Sequence, residues 1–465
     1  MNAQLRNGRT RNLLVIAGFV GVLLTMVHWG GYAKGGPLLI AGIAALTALL
    51  LGFGFSVWYF YKSALPDARP VKVRTRTAAA RQVLATLVCI AGLLFMIGGS
   101  WDEVWHRKYG LPLGEDFWWR PHILIYISIG LISLFALGAM LPILRGKGDM
   151  RRRFRAEPLL GLLALAAGYQ VISTPLDPVW HQLYGVDLTA WSLPHLMLAI
   201  GFTGLMLTAI AIQLSLIPAG AWRTIRSIRQ QEIFVLLMFA ILGGILTQFG
   251  TAEWEDIHVL RIGSTPTFWM RPEWLYPVIL ISVSAFVGMM ALYSLRLVGA
   301  ATATGLLMLA ARLVLLNALD AMGKGVGMTT NAYLLLLPPL LALDIWYAFR
   351  HKLAESNRIV FGGGLVIVLT VLIISLPLLT RMMIYPRVNG NTLPGMAVFG
   401  VVMGLACAWV GAQLGAALRA HSTAPQASTA EEADDRRVWW VGAGALTAML
   451  LFVAFWIGTA TPPIL

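Results

Sequence analysis

The chain is a succession of apolar stretches, most of them close to 20 residues long, separated by short polar, charged or Gly/Pro-containing segments. They fall near residues 13–28, 37–61, 82–100, 121–144, 157–173, 194–218, 232–250, 273–295, 298–319, 330–349, 359–380, 392–418 and 438–458. About 20 apolar residues in a helix cross the hydrocarbon core of a bilayer. A spanning segment must also satisfy its own backbone hydrogen bonds, which a helix does and an open strand does not. The pattern predicts an all-α polytopic membrane protein of about thirteen transmembrane helices in tandem helical hairpins. Composition agrees, with 58% hydrophobic and 12% charged residues, where soluble domains carry about a quarter charged residues. No small-residue cleavage site follows the first apolar run, so it reads as a signal anchor.

The formal net charge of +14 matters through where it lies. If the amino terminus is cytoplasmic, most Lys and Arg fall in cytoplasmic segments. Lys62, Arg69, Lys72, Arg74, Arg76 and Arg81 share one, and Arg151, Arg152, Arg153 and Arg155 share another. This is the positive-inside bias. It predicts a cytoplasmic amino terminus and an extracytoplasmic carboxyl terminus in a bacterial-type inner (plasma) membrane. Anionic lipid is then the expected partner of the cytoplasmic face, protein subunits are a further class of partner, and nucleic acid is not needed. Cys89 and Cys407 both lie inside apolar spans, which leaves the outer loops without disulfides or thiolate ligands. The polar stretch from Ser422 to Asp435 is expected to be a disordered linker. The chain divides into 1–81 (an N-terminal helix pair and basic loop), 82–297 (a repeat region), 298–418 (four spans), 419–437 (the linker) and 438–465 (a last span).

The repeat has a period of about 75 residues. One copy reads WDEVWHRKYGLPLGEDFWWRPHILIY from Trp101, a second LDPVWHQLYGVDLTAWSLPHLML from Leu176, and a diverged third EWEDIHVLRIGSTPTFWMRPEWLYP from Glu253. Each follows an outward-going helix, passes through a Trp- and Gly-containing loop, and re-enters at a Pro, which suits a first helical turn. The copies share one orientation, unlike the inverted repeats common in secondary transporters.

Candidate chemistry concentrates in these loops. Asp102 and His106 are four apart and would share one helix face, with His122 following at the start of the returning helix. Asp177, His181 and His195 repeat the set. One carboxylate and two imidazoles without sulfur suit Zn, Fe or Cu(II). The third copy offers Glu255, His258 and Glu273, and Glu103 with His106 has the same E-x-x-H spacing as Glu255 with His258. Facing Glu/His pairs at i, i+3 occur in di-iron carboxylate bundles, so the copies would either share a two-metal site or hold separate metals. The plainer alternative is that each Asp and His simply pair and stiffen a helix end. The loop tryptophans, among them Trp101, Trp105, Trp118, Trp119, Trp180, Trp191, Trp254 and Trp269, read first as membrane-interface anchors. Arg120 and Arg271, just before the re-entry prolines, are candidates to orient a carboxylate or an anionic substrate. Within the later spans, Arg312 and Asp344 are expected to pair, and Asp320 is a candidate accessory to the metal site.

The D-x-x-x-H pair followed by a further His resembles the metal motif of the C subunit of copper membrane monooxygenases. That resemblance implies copper held by Asp177, His181 and His195, and in parallel by Asp102, His106 and His122. Here thirteen and fifteen residues separate the last two donors, more than in that family. The loops also resemble those of uncharacterised bacterial multispanning proteins with D-x-x-x-H and P-H motifs. The leading expectation is a membrane metalloprotein, an oxidoreductase acting on an apolar or lipid-borne substrate at the outer face, with copper, iron or zinc as cofactor. The rival expectations are transport of a metal or proton, and a non-catalytic subunit or assembly factor.

Overall fold

The computed structural model describes residues 21, 37–65, 77–109, 118–184, 190–252, 272–326, 330–354, 356–382, 389–422 and 435–461. In chain order the helices are α1 (Pro37–Val57, extended by a wide turn over Trp58–Lys62), α2 (Ala78–Tyr109), α3 (Arg120–Leu144), α4 (Met150–Ala156), α5 (Pro158–Ser173) and α6 (Leu176–Tyr184). They continue as α7 (Leu193–Leu214), α8 (Gln230–Thr251), α9 (Leu275–Leu295), α10 (Ala300–Ala321) and α11 (Asn331–Arg350). The last are α12 (Asn357–Thr370), α13 (Leu376–Met382), α14 (Leu393–Arg419) and α15 (Asp435–Gly458). Among the described residues, twelve helical stretches are long and apolar enough to cross a membrane. The predicted span at 13–28, apart from residue 21, and residues 423–434 of the linker lie outside the described residues. The only sheet among those residues is a two-residue parallel bridge, Arg223–Thr224 (β1) with Leu297–Val298 (β2).

Large apolar side chains such as Phe55, Val314, Phe349, Ile373, Leu451 and Phe455 point outward. Burying them would gain nothing in lipid, so helix association has to come from close packing and hydrogen bonds. α9 is the most enclosed span, and α14 runs parallel to it. Gly400, Gly404, Ala408, Gly411 and Gly415 form a stripe of small residues on α14. A Cβ at Gly411 would stand 2.5 Å from the Phe286 carbonyl oxygen, and one at Gly415 2.7 Å from that of Met290. The two backbones approach as closely as the small-xxx-small pattern allows. That pattern was readable in the sequence, although the apolar-run reading did not use it.

α11 contains Pro338 and Pro339. Pro339 has no N–H to give the carbonyl of Leu335 one turn earlier. Ser375, in the wide turn between α12 and α13, supplies the missing donor: its Oγ lies 2.9 Å from that oxygen and is buried. Ser375→Ala is therefore expected to lower stability by about 1–3 kcal/mol, the cost of a buried acceptor without a donor. Thermal unfolding of the detergent-solubilised protein reads this directly, and an unchanged midpoint would contradict it.

Basic residues tie the bundle at the end opposite the repeat loops. Arg153, nearly fully buried, donates to the carbonyls of Leu144 and Gly146, and Arg155 donates to those of Phe60 and Ser63. Guanidinium groups at helix C-termini satisfy carbonyls that lack intrahelical partners. Arg81 pairs with Glu157 at 2.8 Å. Much of the Arg151–Arg155 cluster is thus engaged by the protein's own backbone.

Candidate metal centre

The repeat loops start from one end of the bundle, and α8 stands between the first two. Ser100 of α2 donates to Gln248 Oε1 at 2.8 Å, and Arg107 donates to the Ala252 carbonyl. From the second copy, the Trp191 indole N–H donates to the Phe249 carbonyl at 2.7 Å. The last turn of α8 is therefore gripped from both sides, immediately before the third copy begins.

In the first copy, α2 runs without a break to Tyr109, past the apolar run. That extension places Asp102 and His106 one turn apart on a helix face, while Pro121 in the first turn of α3 sets His122 at its start. Asp102 Oδ1 lies 2.8 Å from His122 Nε2 and 3.4 Å from His106 Nε2. These are charge contacts to a buried oxygen that accepts no aligned hydrogen bond. One donor atom from each of the three residues falls within 4.8 Å of the other two, and this is the only such group of His, Cys, Asp or Glu among the described residues. For bonds of about 2.0–2.2 Å, neighbouring donors on a tetrahedral ion stand roughly 3.3–3.6 Å apart and at square corners roughly 2.8–3.1 Å. The two observed separations fall in that range. Trp119 stacks on the His106 ring, centroids 5.0 Å apart, and restricts its orientation.

The second copy assembles the same atoms more loosely. Asp177 Oδ1 is 3.7 Å from His181 Nε2 and 3.5 Å from His195 Nε2. The trios sit against different apolar clusters. The first adjoins Trp101, Trp105 and Leu124 with Leu316, Leu319 and Val453. The second adjoins Tyr169, Trp180, Leu193 and Met197 with Leu46 of α1. Among the described residues, no donor of one trio completes the other. Of the third copy, Glu255, His258 and Arg271 lie outside the described residues, and Glu273, in the turn before α9, joins neither trio.

The accessory candidates turn out to be occupied elsewhere. Glu103 turns away from Asp102: its carboxylate meets Arg107 at 2.9 Å and Arg312 at 3.0 Å, with all three side chains at most 8% exposed. Arg312 therefore does not pair with Asp344. α10 and α11 are antiparallel, and Asp344 lies level with Thr302, ten residues from Arg312, which is about 15 Å along a helix. There Asp344 accepts from the backbone N–H groups of Gly299 and Thr302, both at 2.7 Å, and from Thr302 Oγ1 at 2.6 Å. Arg120 donates to the Trp456 carbonyl at 2.9 Å and to Thr459 Oγ1 at 2.8 Å, so it caps α15 and is not aimed at a substrate. Asp320 is exposed at the end of α10, against Gly325, outside the trio. Trp101, Trp105, Trp180 and Trp191 are each at most 5% exposed and pack inside the hairpins, whereas Trp118 is exposed as an interface anchor would be. Trp254 and Trp269 are outside the described residues.

No known protein family, curated protein or solved structure matches this chain.

Proposed function

We propose that this chain is a membrane-embedded metalloprotein whose metal is held by Asp102 Oδ1 and the ring nitrogens of His106 and His122. The observation that carries this reading is the approach of those three donors within 4.8 Å at a helix hairpin end. A carboxylate and two imidazoles leave coordination positions for an exogenous ligand, the donor set of non-haem iron oxygenases and one that also suits Zn or Cu(II). Copper is what the motif's resemblance to the copper monooxygenase C subunit would supply. A metal bound there supplies Lewis acidity or redox chemistry to groups at its open positions. The chain's own contribution is orientation: the rigid end of α2 fixes Asp102 and His106, Pro121 fixes the entry of α3, and Trp119 covers one imidazole.

The finer reading is an oxidoreductase acting on an apolar or lipid-borne substrate. It is supported by the open donor set and by the surrounding aromatic side chains at the end of apolar spans. The concentration of arginines at the opposite end, including Arg81 and Arg151 to Arg155, supports an extracytoplasmic placement of the site. The transport reading, which would use Asp320, Arg312 and Asp344, draws less support, since Arg312 and Asp344 are held in separate structural contacts.

Elemental analysis of the detergent-purified protein, beside an Asp102→Ala/His122→Ala variant, tests the proposal. Wild type should carry a stoichiometric transition metal, and the folded variant should carry one equivalent less. Wild type that stays metal-free after growth in copper, iron and zinc would refute it.

A further inference from the structure

We propose that Asp177, His181 and His195 form a second metal site, separate from the first and of weaker affinity, for the same class of divalent transition-metal ion. The inference rests on the reading of the first trio as a metal site.

The donors are the same atom types in the same local frame. His181 follows Asp177 by one helical turn, and Pro194 precedes His195 in the first turn of α7, as Pro121 precedes His122 in α3. The side chain of Asp177 is 7% exposed, and its Oδ1 is buried without an aligned hydrogen bond while facing two imidazole nitrogens. An ionised carboxylate in that setting is costly unless a cation or good donors compensate it. A divalent ion between Oδ1 and the two Nε2 atoms would do so.

The difference from the first trio has a structural cause. Asp102 and His106 stand on the unbroken end of a 32-residue helix, whereas Asp177 and His181 stand on α6, a separate 9-residue helix. A two-residue turn at Thr174–Pro175 interrupts the helical stretch between α5 and α6, since proline removes a helical hydrogen bond and clashes with the preceding turn. The second set of separations, 3.5 and 3.7 Å, exceeds the first set, 2.8 and 3.4 Å. Each imidazole of this trio is near Asp177, but the His181 and His195 nitrogens stand more than 4.8 Å apart, so binding has to draw α6 and α7 together, and that closure weakens affinity. His195, 30% exposed, leaves a side open to solvent, so the ion should exchange readily. Because no donor of one trio joins the other among the described residues, the proposed sites are two mononuclear ones.

The test is a Zn(II) titration of the metal-stripped, detergent-purified full chain, by calorimetry and by bound zinc after gel filtration. Wild type should show two affinities, the weaker by about tenfold or more, the scale on which ligand orientation alters metal binding. Asp177→Asn should lose only the weaker event and Asp102→Asn only the tighter one. His195→Gln, on the other helix, should match Asp177→Asn and guards against one variant failing to fold. If Asp177→Asn and His195→Gln bind as much zinc as wild type while Asp102→Asn loses an equivalent, the second site is refuted and the first stands. If Asp102→Asn retains the wild-type complement, the first reading falls, and this inference with it.

Discussion

Glu103→Gln is expected to cost the protein about 3–5 kcal/mol, the usual penalty for removing one partner from a buried ion pair. Glu103 is the carboxylate between Arg107 and Arg312, which are 7% and 2% exposed. Without its charge, two guanidinium groups face each other at the edge of a hydrocarbon environment. Arg107 keeps the Ala252 carbonyl and Arg312 keeps the Tyr333 ring, its guanidinium 5.5 Å from the centroid. Neither contact replaces a negative charge. The thermal midpoint of the solubilised protein should fall sharply, and Glu103→Gln combined with Arg312→Met should recover much of the loss, because an apolar replacement removes one of the stranded charges. Metal content per folded molecule should be unchanged, since Glu103 turns away from the Asp102 donors. A single variant as stable as wild type, or one that lost its metal while folded, would contradict this assignment.

The second large effect is expected at Gly411. A valine there would drive its Cβ against the Phe286 carbonyl, 2.5 Å away, and backbone has no rotamer by which to yield. α14 would have to separate from α9, losing the close contacts that hold helices together where lipid competes for apolar surface. Overpacking typically costs about 1–3 kcal/mol, and a clash with backbone belongs at the upper end. Gly444→Val on α15 is the control, because nothing lies within 4 Å of a Cβ there. Gel filtration after graded heating should separate the two variants. Equal behaviour would show that the α9–α14 contact contributes little.

The helical architecture was legible because lipid imposes a blunt rule, about 20 apolar residues per crossing, and twelve of the expected spans reappear as long helices. Helix ends were less legible. Hydropathy stopped the first span of the repeat region at residue 100, whereas α2 continues to Tyr109, because polar residues that pair with one another need not leave the helix. The Asp102–His106–His122 grouping was legible, since a spacing of four fixes a helix face and a Pro-His start fixes the next one. The packing of Trp101, Trp105, Trp180 and Trp191 was not legible, because an amphipathic ring at a helix end suits either the interface or a packed hairpin, and residue type alone does not choose.

Local spacing in the sequence determined which side chains share a turn: Asp102 with His106, Asp177 with His181, and each Pro with the His after it. It also determined that every long apolar run had to be helical, since the hydrocarbon core offers backbone groups no other partner. Only the tertiary structure decided who meets whom across the bundle. Arg312 finds Glu103 across 209 residues, Ser375 finds the carbonyl freed by Pro339, and Arg120 caps the last helix. The tertiary structure also drew one trio tighter than the other: an uninterrupted helix carries the first pair, and a helix broken by a turn at Thr174–Pro175 leads to the second. Such choices depend on helix register and depth in three dimensions, and periodicity along a single chain does not encode them.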